Sequence, residues 1–291
     1  MRRFTLLLLM LVFLVPSEGW GRVLTAGEDG VPDGNALAAT IEAAGDGDTV
    51  LVYPGLYESV SLRIVDKQIV LKSLEGPEKT ILDGSRVFRP LWLFDADQSV
   101  VEGFTIQNGF DRRTGGAAYV RGDTHAILRH NIMKDSYADY GGAVYVVGGA
   151  IVELEGNLFV GNGAIKRGGA VYCQGSELRL RGNTFVRNNA DLSGAAVSLY
   201  NTRATVERNI FAEHKDLAAI YLHDTGCDIQ LRCNGFWKNS AGPLAGGEGV
   251  ALPENSSAFT EDPRFTDQKH YMPAAGSAYR GGKCGDVGWS L

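Results

Sequence analysis

Charged side chains recur just before three glycine pairs in this chain. Arg113, Asp139 and Lys166 each stand two residues before a Gly-Gly pair, and Tyr140 and Arg167 are their direct neighbours. Arginine and lysine can neutralise the carboxylate of an acidic sugar, and a base beside them could remove the adjacent proton, which is the chemistry of β-elimination. These five positions therefore predict a substrate-binding surface for an acidic polysaccharide, with no residue assigned as catalytic.

Two alternatives stand beside this prediction. Arg113, Asp139 and Lys166 alternate in sign, so they could simply pair with one another. Glycoside hydrolysis usually needs two carboxylates about 5 to 9.5 Å apart. The chain contains an internal repeat, described below, and no equivalent position carries an acid in two consecutive repeats. The turns before the glycine pairs are short, the longest running from Asn108 to Thr114. Short turns favour a non-catalytic surface or envelope protein that serves in adhesion or as a structural rod.

An internal repeat must position these residues. Asparagine recurs with steps of 26, 26, 26 and 25 residues. An apolar residue stands two positions after each asparagine and another three positions before it. A fixed period of this length indicates one coil of a solenoid per repeat. The repeating asparagines are Asn131, Asn157, Asn183, Asn209 and Asn234.

A second motif, Gly-Gly-Ala or Gly-Ala-Ala followed by a short apolar strand, keeps the same period. Each period therefore holds at least two strands, and stacking the repeats about 4.8 Å apart closes a continuous core. Parallel crossovers are right-handed in general. The predicted fold is all-β: a single-stranded right-handed parallel β-helix with about 26 residues per coil and a short N-terminal capping helix.

Two columns should fix the register of the coils. Stacked asparagine amides predict a hydrogen-bonded ladder. The position two residues before the ladder alternates in sign, which predicts a stripe of cross-strand ion pairs, because like charges on adjacent strands would repel. Each exposed pair contributes only about 0 to 1 kcal/mol. The stripe consists of Glu102, Arg129, Glu155, Arg181, Glu207 and Arg232, with Lys72 as a candidate first member.

The chain divides into four predicted parts. Residues 1–19 combine two arginines, an apolar run and a small-residue end, as a signal peptide does. Residues 20–48 form an N-terminal cap whose helix follows Asn35 as N-cap and stops at Gly45. Residues 49–239 form the β-helix. Residues 240–291 lose the period and should form an irregular cap that wraps or plugs the far end.

The signal predicts a secreted, periplasmic or cell-surface protein that does not span a membrane, because the apolar run is too short. The net charge of −6 disfavours nucleic acid as a partner. An extracellular polysaccharide is the expected partner, and the oligomeric state is left open. No cofactor is predicted. Calcium at Asp83, Asp95 and Asp97 is a possibility, although aspartates are also ordinary turn residues.

Four cysteines in an exported chain can form disulfides. Cys173 falls in an inward column of valines and leucines, so we expect a buried thiol. At most one disulfide is then possible among Cys227, Cys233 and Cys284. We expect Cys284 to bond either Cys227 or Cys233 and to tie the irregular tail to the last coil.

Three stretches resemble bacterial secreted β-helix proteins of the pectin lyase-like superfamily. Residues 47–57, from Gly-Asp-Thr-Val to Pro-Gly-Leu-Tyr, resemble that family's first coil, and residues 101–109 are similar to its central coil. Residues 262–265, Gly276-Ser277 and residues 285–288 resemble its ending, with Ala278 where the family has proline. The resemblance implies the β-helix fold. It does not single out an activity, since the superfamily contains lyases, hydrolases and adhesins.

Overall fold

The computed structural model describes residues 21–256, 258–280 and 284–289. The predicted signal peptide, residues 1–19, lies outside the described residues. The elements, in chain order, are β1 (Val23–Ala26), α1 (Gly34–Ala43), β2 (Thr49–Val52), β3 (Gly55–Tyr57), β4 (Leu62–Val65), β5 (Val70–Ser73), β6 (Thr80–Asp83), β7 (Leu91–Phe94), β8 (Ser99–Glu102), β9 (Thr105–Gln107), β10 (Ala118–Arg121), β11 (His125–Arg129), β12 (Ile132–Lys134), β13 (Tyr137–Tyr140), β14 (Val144–Val147), β15 (Ile151–Glu155), β16 (Leu158–Val160), β17 (Gly163–Arg167), β18 (Val171–Gln174), β19 (Glu177–Arg181), β20 (Thr184–Val186), β21 (Asn189–Ala190), β22 (Val197–Tyr200), β23 (Arg203–Glu207), β24 (Ile210–Ala212), β25 (Ile220–Leu222), β26 (Asp228–Arg232), β27 (Gly235–Trp237), β28 (Leu244–Gly246) and β29 (Asn255–Ser256).

These strands form a parallel solenoid with three long sheets and one short one. Sheet A is β1-β2-β5-β8-β11-β15-β19-β23-β26-β29, sheet B is β27-β24-β20-β16-β12-β9-β6-β3, and sheet C is β28-β25-β22-β18-β14-β10-β7-β4. Sheet D is β13-β17-β21 and lies between sheets B and C in the three middle coils. The predicted all-β parallel solenoid is confirmed, with three main strands in each regular coil. Sheet D is an addition that the repeat did not predict.

Stacked apolar rings fill the interior of the solenoid. Phe159, Phe185, Phe211 and Phe236 stand on successive coils, with ring centroids 4.7, 4.8 and 5.1 Å apart and nearly parallel planes. Each of these rings is buried, and full burial of such a side chain contributes roughly 1.5 to 3 kcal/mol. The core is therefore a continuous column whose spacing equals that of the strands.

The asparagine ladder forms as predicted. The Nδ2 group of each asparagine donates to the Oδ1 atom of the next one, at 3.2, 3.0, 2.9 and 3.0 Å from Asn131 to Asn234. All five side chains are fully buried. A second ladder was not predicted: Asn162 Nδ2 donates to Asn188 Oδ1 at 3.0 Å in the turn after sheet B.

The charge stripe has the predicted register but forms only part of the predicted pairs. Its members face each other in sheet A, and Glu102 pairs with Lys72 at 2.9 Å and with Arg129 at 2.7 Å. Within the described ranges the later members form no ion pair with one another. Glu207 pairs instead with Arg208, at 3.4 Å.

The short helix is present, but its caps differ from the predicted ones. Asp33, and not Asn35, is the N-cap: its carboxylate accepts from the backbone N–H of Asn35 at 2.8 Å. At the other end the ammonium of Lys67 donates to three carbonyl groups, which replaces a glycine stop at Gly45. The helix buries Leu37 against the first coils.

The C-terminal stretch does more than close the far end. β28 and β29 extend sheets C and A, and the chain then folds back along the outside of sheet B. Trp289 is buried there, and its backbone N–H donates to Thr184 Oγ1 at 3.0 Å. Lys269 reaches Glu78, which belongs to an early coil. The tail is therefore mainly a strap along one side.

A disulfide joins Cys233 to Cys284, which is one of the two predicted pairings. It fastens the strap to the last regular coil. Cys173 is a free thiol and fully buried, as predicted, and burial raises its pKa to about 12. Cys227 is free and half-buried. No helix among the described residues is long and apolar enough to cross a membrane.

Candidate functional site

The five predicted site residues line one open groove of about 540 Å³. The groove lies between the outer face of sheet C and the end of sheet D. Asp139 and Tyr140 end β13, Lys166 and Arg167 end β17, and Arg113 stands in the equivalent turn one coil earlier. The structure therefore brings together residues that are up to two coils apart.

Glycine creates this groove. Gly141 has a positive φ of 62°, a conformation that L side chains rarely adopt. At Gly142 an added Cβ would lie 2.2 Å from the carbonyl oxygen of Gly169, which is too close for any side chain. The chain therefore turns sharply from sheet D into sheet C, and the ends of β13 and β17 stand beside the outer face of sheet C.

The groove is cationic, but its positive charges differ in whether an acidic side chain already pairs with them. Lys166 Nζ lies 2.9 Å from Asp139 Oδ2 and 5.0 Å from the ring centroid of Tyr140. The hydrogen bond to Asp139 raises the pKa of Lys166. Arg113 has no acidic partner within the part of the chain that the structure describes. Of the three alternating charges, Lys166 and Asp139 therefore pair with each other, as the alternative predicted. Arg113 does not pair with either of them.

A column of aromatic residues forms the floor, and sequence reasoning missed it. The rings of Tyr119 and Tyr145 stack with centroids 5.5 Å apart, and those of Tyr145 and Tyr172 with centroids 5.4 Å apart. Each tyrosine stands two residues after the alanine of a Gly-Gly-Ala motif. That fixed offset from the glycine motif could have identified the tyrosine column from the sequence. Because the rings cover one another's faces, the column offers the groove its edges and hydroxyl groups.

Burial raises the pKa of Tyr145 to about 12. Burial also raises the pKa of Tyr172, against the opposing hydrogen bond and charge of Arg167. Both phenols are therefore protonated at neutral pH, and the Tyr172 hydroxyl can donate a hydrogen bond to a bound oxygen. The Tyr145 hydroxyl already donates to Gln174 Oε1 at 3.2 Å.

A buried arginine fixes the turn that carries Arg113. The Arg89 guanidinium donates to the backbone carbonyl groups of Thr114 and Gly115 and pairs with Asp111 at 2.9 Å. It also lies 3.9 Å from the ring centroid of Trp92. Burial lowers the pKa of Arg89 to about 10, so the group stays charged at neutral pH.

A histidine closes the far end of the aromatic column. Ser198 interrupts the tyrosines, and its hydroxyl lies 2.7 Å from His223 Nε2. Burial, followed by the charge of Arg167, lowers the pKa of His223 to about 4. The imidazole is therefore neutral at neutral pH, and its Nε2 atom is already engaged.

The three aspartates considered for calcium do not converge. Asp83 Oδ2 accepts from the side-chain amides of Gln107, at the end of β9, and Asn108, just after it, at 2.6 and 2.9 Å. Asp95 and Asp97 stand in the turn between sheets C and A, where Asp95 accepts from a backbone N–H. Among the described residues no three histidine, cysteine or acidic side chains form a group that could hold a metal ion. The described residues therefore do not gather Asp83, Asp95 and Asp97 into one site.

The fold and the groove define a parallel β-solenoid with an open cationic cleft on one flank. The family model for the right-handed beta helix region matches residues 91–267. The chain therefore belongs to the right-handed β-helix family, and the predicted handedness agrees with that membership. No curated protein matches the chain.

Proposed function

We propose that the protein binds an extracellular acidic polysaccharide along the groove between sheets C and D. The single observation that carries the proposal is the guanidinium of Arg113, which has no acidic partner among the described residues and lines the same groove as Arg167 and the tyrosine column. Two cations beside phenol donors suit a uronate, whose carboxylate needs charge and whose hydroxyl groups need hydrogen-bond partners.

Binding without cleavage is the function that the groove supports best. Asp139 is the one carboxylate among the described lining residues, so the pair that hydrolysis needs is missing. β-Elimination needs a base. Lys166 holds its proton more tightly because of Asp139, and Tyr145 and Tyr172 have raised pKa values. None of these groups is prepared to remove a proton at neutral pH.

The test is binding to polygalacturonate and alginate at low ionic strength, by titration calorimetry. The double variant Arg113→Ala/Arg167→Ala should bind about tenfold or more weakly, and added salt should weaken the parent protein in the same direction. Arg203→Ala is the matched control, because Arg203 is an exposed arginine on sheet A. It should bind as the parent does.

Ultraviolet absorbance of the same mixtures, with and without calcium, reports unsaturated sugar products. We expect none. A product lost with Arg113, Lys166 or Arg167 would identify a lyase instead. An absence of binding to either polymer would discard the proposal and leave a rigid rod with an adhesive or structural role.

A further inference from the structure

Sheet D separates the cationic groove from a second groove on its other side. The second groove, about 520 Å³, runs along the turn between sheets B and D. It shares no lining residue with the first one. The two surfaces can therefore bind different ligands.

Two glycines in one coil form a notch in the second groove. Gly161 and Gly163 flank Asn162, and they occupy the outward positions that Asp135 and Tyr137 occupy one coil earlier. Arg187 and Asn189 occupy the same positions one coil later. Adjacent coils are about 4.8 Å apart. The notch is thus one coil wide and has polar or aromatic side chains on both walls.

The ring of Tyr137 rests on this notch. A Cβ atom at Gly163 would lie 2.9 Å from Tyr137 Cδ2, so the ring occupies the space that the glycine leaves empty. Tyr137 is nevertheless 41% exposed. An aromatic ring that is supported from below and open to solvent is a platform on which a sugar ring can stack through its C–H groups.

The surrounding groups suit an uncharged ligand. Asp135 and Arg86 line the groove and form no ion pair within the described ranges, so both can bind hydroxyl groups. Arg187 is already neutralised by Glu213 at 2.7 Å and also donates to the Tyr271 hydroxyl at 3.0 Å. The charges thus balance, whereas three cations face one carboxylate in the first groove.

The floor beneath the notch is rigid. The backbone N–H of Ser136 donates to Asn162 Oδ1 at 3.1 Å, and Asn162 Nδ2 donates to Asn188 Oδ1 at 3.0 Å. All three side chains are buried. A groove whose floor and platform are already fixed loses little conformational entropy when a ligand binds.

We propose that the second groove is a binding site for a neutral oligosaccharide, one pyranose of which stacks on Tyr137 over the glycine notch. Asp135 and Asn189, on either side of the notch, bind the hydroxyl groups of that pyranose. The site is independent of the cationic groove and holds whether or not the protein binds acidic glycans.

The test uses cellohexaose, mannohexaose and chitohexaose as probes, with titration calorimetry and saturation-transfer NMR on the whole protein. At least one probe should bind. Tyr137→Ala should weaken that binding about tenfold. Gly163→Ala keeps every ligand-contacting group but pushes the ring away, so it should also weaken binding.

Tyr200→Ala is the matched control, because Tyr200 is also 41% exposed and lines the cationic groove. It should leave binding within about twofold of the parent. Asp135→Asn supplies a variant that keeps the ring and the notch, and it should weaken binding without a change in thermal stability. Binding by none of the probes, or equal binding by the parent and Tyr137→Ala, would overturn the proposal.

Discussion

Replacing Asn183 by alanine tests whether the buried ladder holds the coils together. Asn183 Nδ2 donates to the carbonyl of Leu154 at 2.6 Å and to Asn209 Oδ1 at 2.9 Å. Its Oδ1 accepts from the backbone N–H and the Nδ2 group of Asn157, at 2.9 and 3.0 Å. The side chain is fully buried, so water cannot replace these partners.

The variant leaves the buried backbone N–H of Asn157 without its acceptor and removes one hydrogen bond from the carbonyl of Leu154. An unsatisfied buried group costs about 1 to 3 kcal/mol, and a lost hydrogen bond costs about 0.5 to 1.5 kcal/mol. The free energy of unfolding should therefore fall by roughly 1.5 to 4.5 kcal/mol. Asn183→Asp keeps the acceptors but loses the donor to Leu154, and it places a charge in the core. It should destabilise at least as much at neutral pH.

Urea denaturation, followed by circular dichroism, measures this difference. Asn35→Ala is the control, since Asn35 is exposed in the first turn of α1, where alanine adopts the same helical backbone, and its effect should stay within about 0.5 kcal/mol. Hydrogen exchange should locate the loss of protection in the coils on either side of Asn183. If Asn183→Ala unfolds at the same urea concentration as the parent, the ladder contributes no net stability and this reasoning is wrong.

Three further outcomes are expected. Arg181→Glu places three acids in a row with Glu155 and Glu207, so melting should fall slightly at low salt and recover at high salt; equal melting in both would contradict a role for the stripe. Cys173 should not react with a thiol reagent in the native protein because it is buried with a raised pKa, and should react after unfolding; native labelling at Cys173, found by peptide mass spectrometry, would refute its burial. The pKa of Asp267 is lowered to about 2 by its hydrogen bonds with the backbone and side chain of His270, so its contribution is complete above the ordinary aspartate pKa and is lost as pH falls toward 2; relative to an unstructured reference peptide in the same tube, pepsin should cut the C-terminal strap faster at pH 2 than at pH 4, and an unchanged ratio of rates would contradict that anchor.

Much of the candidate site could be derived from the periodic sequence. A fixed repeat of about 26 residues brings residues one period apart into contact. Arg113, Asp139 and Lys166 thus had to share one flank, and they do line one groove. The tyrosine column follows the same rule, and only its offset from the glycine motif was overlooked.

Pairings between distant or non-repeating segments depend on the tertiary structure. Nothing periodic relates Lys269 to Glu78 or places the strap on sheet B. The choice of Cys233 over Cys227 as the partner of Cys284 depends on the path of that strap.

The ion pairs of the groove also depended on the tertiary structure. The sequence placed Asp139 in contact distance of two cations, one coil before it and one coil after it. Only the geometry decided that Lys166 pairs with it while Arg113 is held on the turn fixed by Arg89. The sequence by itself thus determined the coil, its register and the flank that carries the site, because periodic contacts follow from spacing alone. The tertiary structure decided which of those charges form ion pairs, because pairing depends on the side-chain geometry at each turn and on neighbours such as Arg89.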